Sequence, residues 1–175
     1  MIRLRRIYHQ STKRPRLIRQ KSLTGPVQTI MDPFDIKIED LLPHRDRMLL
    51  IDEILEVDHH MAVTRATVTD RWPFFNGNSV DPLVLIEVVA QTAGINNGWV
   101  RIQTHGQDSE KKGWLVGIKQ SRFFVDAVSL NDLIITKAEN QFEYENYRHI
   151  AGVASIDSKI IGEVTLQLIQ TESTG

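Results

Sequence analysis

The sequence predicts an α+β fold in which an antiparallel sheet wraps one long helix, and three observations carry that expectation. From Leu83 to Ala90 every residue but Glu87 is apolar, so a helix there has no solvent face and must be enclosed. Two strand-like runs precede it and four follow it, joined by short polar turns, the pattern of a hairpin-connected sheet packed on one face. A hydrophobic content of 41% over 175 residues suffices for one compact core.

The elements follow in chain order. Residues 1–30 carry eight basic residues and no acidic one, and Pro15, Gly25 and Pro26 break any period. They read as a disordered leader, with Met31 a candidate start, or as a basic arm for an anionic partner or a targeting peptide. The remaining 145 residues carry 13 basic and 22 acidic side chains, a balance that does not favour nucleic acid. Asp35 to Leu42 is a short helix or turn stopped at Pro43. Met48 to Val57 is a strand, Asp58-His59-His60 a turn with both histidines solvated, and Ala62 to Thr69 a strand with Ala62, Thr64, Ala66 and Val68 on one face.

The polar loop Phe74-Phe75-Asn76-Gly77-Asn78-Ser79-Val80 then opens the long helix, with Asp81 as N-cap and Pro82 at the first helical position. The helix ends near Asn97-Gly98 or continues to Gly106. Trp114 to Lys119, Asp132 to Phe142, His149 to Asp157 and Glu163 to Gln170 are strands. In the last of these Val164, Leu166 and Leu168 point inward, and Asp157-Ser158-Lys159 is the turn before it. Wrapping one helix leaves sheet edges open, so a second copy or a similar subunit is expected to pair with them.

Chemistry concentrates at the start of the helix. A carboxylate at Glu87 among apolar neighbours needs a partner, a water-lined pocket or a raised pKa. Gln91 lies one turn on, so the two polar groups line one groove. Asn78 in the loop serves either turn conformation or substrate contact. No spacing of His, Asp or Glu resembles a metal site. Cysteine is absent, which excludes disulfides and thiolate chemistry and fits a reducing cytoplasm. No apolar run approaches the ~18 residues of a membrane span.

Leu42-Pro43-His44-Arg45 with Met48-Leu49-Leu50-Ile51-Asp52, then Phe74-Phe75-Asn76-Gly77, then Glu87-Val88-Val89-Ala90-Gln91, and finally Gly117 to Phe123, together resemble the hotdog-fold (3R)-hydroxyacyl-ACP dehydratases, in the right order over residues 36–170. The resemblance implies a hotdog domain over 31–175, a curved antiparallel sheet around a central helix, working as a homodimer or heterodimer with the active site between protomers. In that family a catalytic histidine follows the loop glycine and Phe-Pro-Gly follows the histidine. Here Asn78 and Ser79-Val80-Asp81 stand in those places, which resembles the dehydratase-like subunits of aryl-polyene-type pathways.

The resemblance assigns Glu87 as the acid and leaves the base unfilled. His44 is a candidate replacement base or a structural residue of the pocket rim. Gly77, Val80 and Gln91 are the expected substrate contacts, with the N–H groups of 80–83 as donors to a thioester oxygen. Lys119 and Arg122 are a solvated face or a dock for the acyl carrier protein, whose phosphopantetheine would carry the substrate with no further cofactor. Three functions follow: a carrier-dependent dehydratase of fatty-acid or aryl-polyene-type biosynthesis, a catalytically silent subunit pairing with an active dehydratase, or an acyl thioesterase.

Overall fold

The computed structural model describes residues 36–106, 114–144 and 147–170. The basic segment 1–30 and Met31 lie outside them. α1 (Ile38–Leu41) leads through a 3-10 turn (Asp46–Met48) to the hairpin of β1 (Glu53–Val57) and β2 (Met61–Thr67). β3 (Ser79–Val80) precedes α2 (Val84–His105). β4 (Trp114–Phe123), β5 (Val128–Ser129), β6 (Leu133–Tyr144), β7 (Tyr147–Ile156) and β8 (Lys159–Gln170) complete the fold. Six strands form one sheet in the order β1-β2-β6-β7-β8-β4, antiparallel throughout, and β3 pairs only with β5. At 22 residues α2 is ~33 Å long, enough to run the length of the sheet that encloses it.

Alternation decides which face of each strand meets the helix. Ala62, Thr64, Ala66 and Val68 are all fully buried, as their period requires, and Val164, Leu166 and Leu168 line the opposite flank of the core. Val84, Leu85, Val88 and Ile95 pack into a cluster with Leu50 and Ile54, while Val89 and Ala93 pack against Ile150, Val164 and Leu166. Asp157 and Ser158, both at positive φ, make the two-residue turn that joins β7 to β8.

Several boundaries differ from expectation for identifiable reasons. Met48 to Asp52 is not strand, because the Leu50 N–H is taken by the side chain of Gln91 on α2 rather than by a neighbouring strand. β4 runs past Lys119 to Phe123, since an irregularity between Ile118 and Gln120 keeps it in register with β8. β8 begins at Lys159, directly on the turn, and β3 and β5 are too short to show a period.

The helix also differs, in its first turn and in its enclosure. Asp81 Oδ1 accepts from Leu83 N at 2.9 Å, but Leu83 rather than Asp81 stands at the N-cap of α2, and Pro82 precedes the first helical residue. The first turn is nevertheless closed by tighter bonds, Val84 N to Asp81 O, Leu85 N to Pro82 O and Ile86 N to Leu83 O, so regular helix starts at Val84. It does not stop at Gly98 and continues to His105. Nor is it enclosed all round: Leu83 is 47% exposed, and Ile86, Glu87 and Ala90 on the same stripe are half-buried.

Candidate active site

The site is assembled where α1 lies across the middle of α2. A Cβ on Gly98 would stand 2.6 Å from Leu41 O and one on Gly94 2.6 Å from Leu42 Cδ2, so only the missing side chains let α1 come so close. Arg101 Nη2 donates to Asp40 O at 3.2 Å. Leu42 precedes a proline and is extended (φ −112°, ψ 148°), which turns the chain out of α1 and brings the next residues over the start of α2.

That turn places His44 against Glu87. His44 Nε2 is 3.2 Å from Glu87 Oε1, with the two side chains 31% and 33% exposed, at the rim of the fold rather than inside it. Gln91 Nε2 donates to the same Oε1 at 2.8 Å and to Met48 O at 2.6 Å, while Gln91 Oε1 accepts from Leu50 N at 2.9 Å. The carboxylate that the sequence left in need of a partner therefore has two. Its other oxygen, Oε2, bonds to no described residue.

One nitrogen of the His44 ring, Nε2, is committed to Glu87. Nδ1 is buried with no hydrogen-bond partner. A bare Nδ1 is less costly there than an N–H with no acceptor, so the fitting tautomer is the neutral one that donates from Nε2 to Glu87. Neither nitrogen is open to a substrate proton. The candidate replacement base therefore stands against Glu87, with Nε2 facing the carboxylate and Nδ1 turned inward.

Gln91 is corrected as well. It is fully buried with its amide spent on Leu50, Met48 and Glu87, so it orients the carboxylate and lines no substrate groove. Val80 is buried and paired through β3 with Val128, with a second bridge to Phe75. The neighbouring donors are taken too: Asp81 N by Phe74 O, Leu83 N by Asp81 Oδ1 and Val84 N by Asp81 O. Over 81–83 the helix start thus offers no free N–H, since Asp81 N and Leu83 N are bonded and Pro82 has none, against expectation.

In the loop, the turn chemistry belongs to Asn76. Its Oδ1 accepts from Asn78 N at 3.1 Å and Ser79 N at 2.9 Å, and its N–H donates to Ser79 O at 3.0 Å. Gly77 takes φ +99° in open space, a conformation that suits glycine, and its N–H bonds to no described residue. Asn78 is exposed, and its side chain makes no hydrogen bond to a described residue. Lys119 and Arg122 are exposed on β4, the free edge of the sheet. With the Gln120 amide turned to accept, Arg122 Nε and Nη2 donate to it at 2.7 and 2.9 Å. His59 and His60 are exposed, as expected, with the His59 ring edge-on to Trp99. Among the described residues no three His, Asp or Glu side chains gather as a metal site, and no helix is long and apolar enough to cross a membrane.

Sequence reasoning gave no role to Asn76 and Arg45. The Asn-Gly pair was a signal for the first, and for the second a basic residue following Pro-His, at the end of α1, was the only cue.

The family model described as ApeP-like dehydratase matches residues 36–174. The chain is 40% identical over 113 residues to the 3-hydroxyacyl-[acyl-carrier-protein] dehydratase FabZ of Streptococcus uberis, covering 58% of this chain and 74% of the relative. It is 35% identical over 141 residues to the FabZ of Streptococcus agalactiae serotype V, covering 75% and 94%. Among solved structures, the dehydratase heterocomplex ApeI:P from Xenorhabdus doucetiae shares the fold with a TM-score of 0.68 at 20% identity, covering 79% of this chain and 93% of that one. The antiparallel sheet around α2 is the hotdog fold, and the chain belongs to the ApeP-like dehydratase family.

Proposed function

We propose that this chain supplies the carboxylate half of a (3R)-hydroxyacyl thioester dehydration site, and that a second hotdog subunit supplies the imidazole. One observation carries the reading: Glu87 keeps Oε2 free, while His44 turns Nε2 to Glu87 and buries Nδ1, and Asn78 cannot accept a proton usefully. Dehydration needs both partners. A base removes the α-proton as an acid protonates the β-hydroxyl, the C–O bond breaks, and water leaves an enoyl thioester. Glu87, when its free Oε2 carries a proton, can give that proton to the departing hydroxyl, and Gly77 N–H is the loop donor left for the thioester oxygen.

The surroundings of Glu87 support a partner as the missing wall. Leu83, Phe74 and Met48 are 47%, 58% and 44% exposed, and the β4 edge is open to pairing. A solved relative is itself a dehydratase heterocomplex, and the curated relatives are named for acyl-carrier substrates. By the same reasoning the substrate rides on an acyl carrier protein, and Lys119 and Arg122 on β4 are placed to meet its acidic surface.

The test is an assay of the purified chain, alone and with a hotdog subunit whose loop carries a histidine after the glycine, on a hydroxyacyl-carrier substrate. The pair should dehydrate and the single chain should not. Glu87→Gln in this chain should cost the pair ~10²–10⁴ in rate while the complex still forms. Efficient dehydration by the chain alone would overturn the reading. Hydrolysis of an acyl-carrier thioester by the chain alone, lost in Glu87→Gln, would point instead to a thioesterase in which the free Oε2 activates water.

A further inference from the structure

We infer that Arg45 is a positioning residue for Glu87, acting through His44, and its catalytic consequence rests on the function proposed above. Its guanidinium donates to three main-chain carbonyls at the end of α1: Nη1 to Leu42 O at 2.8 Å and to His44 O at 2.6 Å, and Nη2 to Glu39 O at 3.0 Å. Glu39 O lies in α1, Leu42 O at its C-cap, and the third carbonyl belongs to His44 itself. One planar group thus bridges the short helix to the turn after it.

The turn needs such a tie. Pro43 has no N–H to give, and the chain reverses at Asp46, which sits at φ 52°, a conformation that non-glycine residues seldom adopt. No hydrogen bond of the His44 ring other than the one to Glu87 holds its direction, because Nδ1 has no partner. The direction of the imidazole is therefore set by its backbone, and Arg45 sets the backbone. Lysine cannot replace it, since a point ammonium does not span three carbonyls as a planar fork does.

The test reads the ring directly, by long-range ¹⁵N–¹H correlation spectra of the histidines in the full chain, at a pH where the rings are neutral. His44 is identified by the signal lost in His44→Gln. The parent should show His44 as one tautomer, protonated at Nε2. In Arg45→Gln the ring should become a mixture of tautomers, and Arg45→Lys should fall between. Lys137→Gln, which breaks the exposed pair with Glu139 on β6, should leave the ring unchanged. In the assembled enzyme Arg45→Gln should lower kcat ~10-fold or more with KM little altered, since a displacement of ~1 Å at a reacting group costs up to ~10².

An unchanged ring in both Arg45 variants overturns the inference, as does an equal disturbance in Lys137→Gln, which would mean that the ring answers to any loss of a surface contact. Should Arg45→Gln not fold, Arg45→Lys carries the same comparison. A ring that changes as expected while the kcat of the complex does not would leave the positioning intact and count against the proposed role of Glu87.

Discussion

Gly98 and Leu41 touch through the bare Cα of the glycine: a Cβ there would meet Leu41 O at 2.6 Å and its Cα at 3.0 Å. This contact seats α1 on α2 and so sets where His44 can stand. Gly98→Ala should lower stability by ~1–3 kcal/mol, the usual cost of forcing a methyl into a packed contact against backbone, even though alanine is the better helix former. Urea denaturation checks it. An unchanged or raised midpoint would show that α1 is not held there.

Gln91 holds the segment before β1 as well as Glu87. Gln91→Leu keeps the size but leaves Leu50 N without its acceptor inside the core, which should cost ~1–3 kcal/mol. The denaturant midpoint should fall with the slope unchanged. In the assembled enzyme Glu87 would lose one of its two donors, so activity should fall together with stability.

The Asn78 side chain is exposed and bonds to no described residue, so Asn78→His should be accepted without loss of stability, and the loop should keep its shape because Asn76 maintains the turn. If the missing base is what silences the chain alone, the variant should gain dehydratase activity, at most near ~10²-fold. The gain should be partial, because Val80 is locked into β3 where the family has a Phe-Pro-Gly loop to aim the ring. Adding Glu87→Gln should abolish it. No gain in the variant alone, with full activity in the presence of a histidine-bearing partner, would assign the defect to the loop rather than to the residue.

Asp58 links stability to pH. Burial pushes its carboxyl up, but hydrogen bonds from His60 N and Met61 N and the nearby His60 and His59 outweigh that and hold it below its ordinary 3.8. A folded-state value below the unfolded one gives a contribution present above 3.8 and lost as pH falls through the lower folded value. Asp58→Ala should therefore trail the parent at neutral pH and converge on it in acid. Urea midpoints across that range decide it, and a gap that stays constant would remove the charge from the explanation.

Periodicity made the core of this fold legible. The period of two in Ala62 to Val68 and Val164 to Leu168, and the apolar run at Leu83 to Ala90 with its single carboxylate, together point to an antiparallel sheet packed around a helix. The same reading singled out Glu87, because a lone carboxylate in that run is costly unless something meets it. What meets it was not legible. His44 and Gln91 reach Glu87 from opposite directions along the chain, and the His44 contact exists only because two glycines on α2 admit α1 and Arg45 ties the turn that follows. Whether a histidine can act as a base depends on which of its nitrogens is free, and that is a property of packing across the fold rather than of neighbours in sequence. Only the tertiary structure showed that His44 turns Nε2 to Glu87 and buries Nδ1.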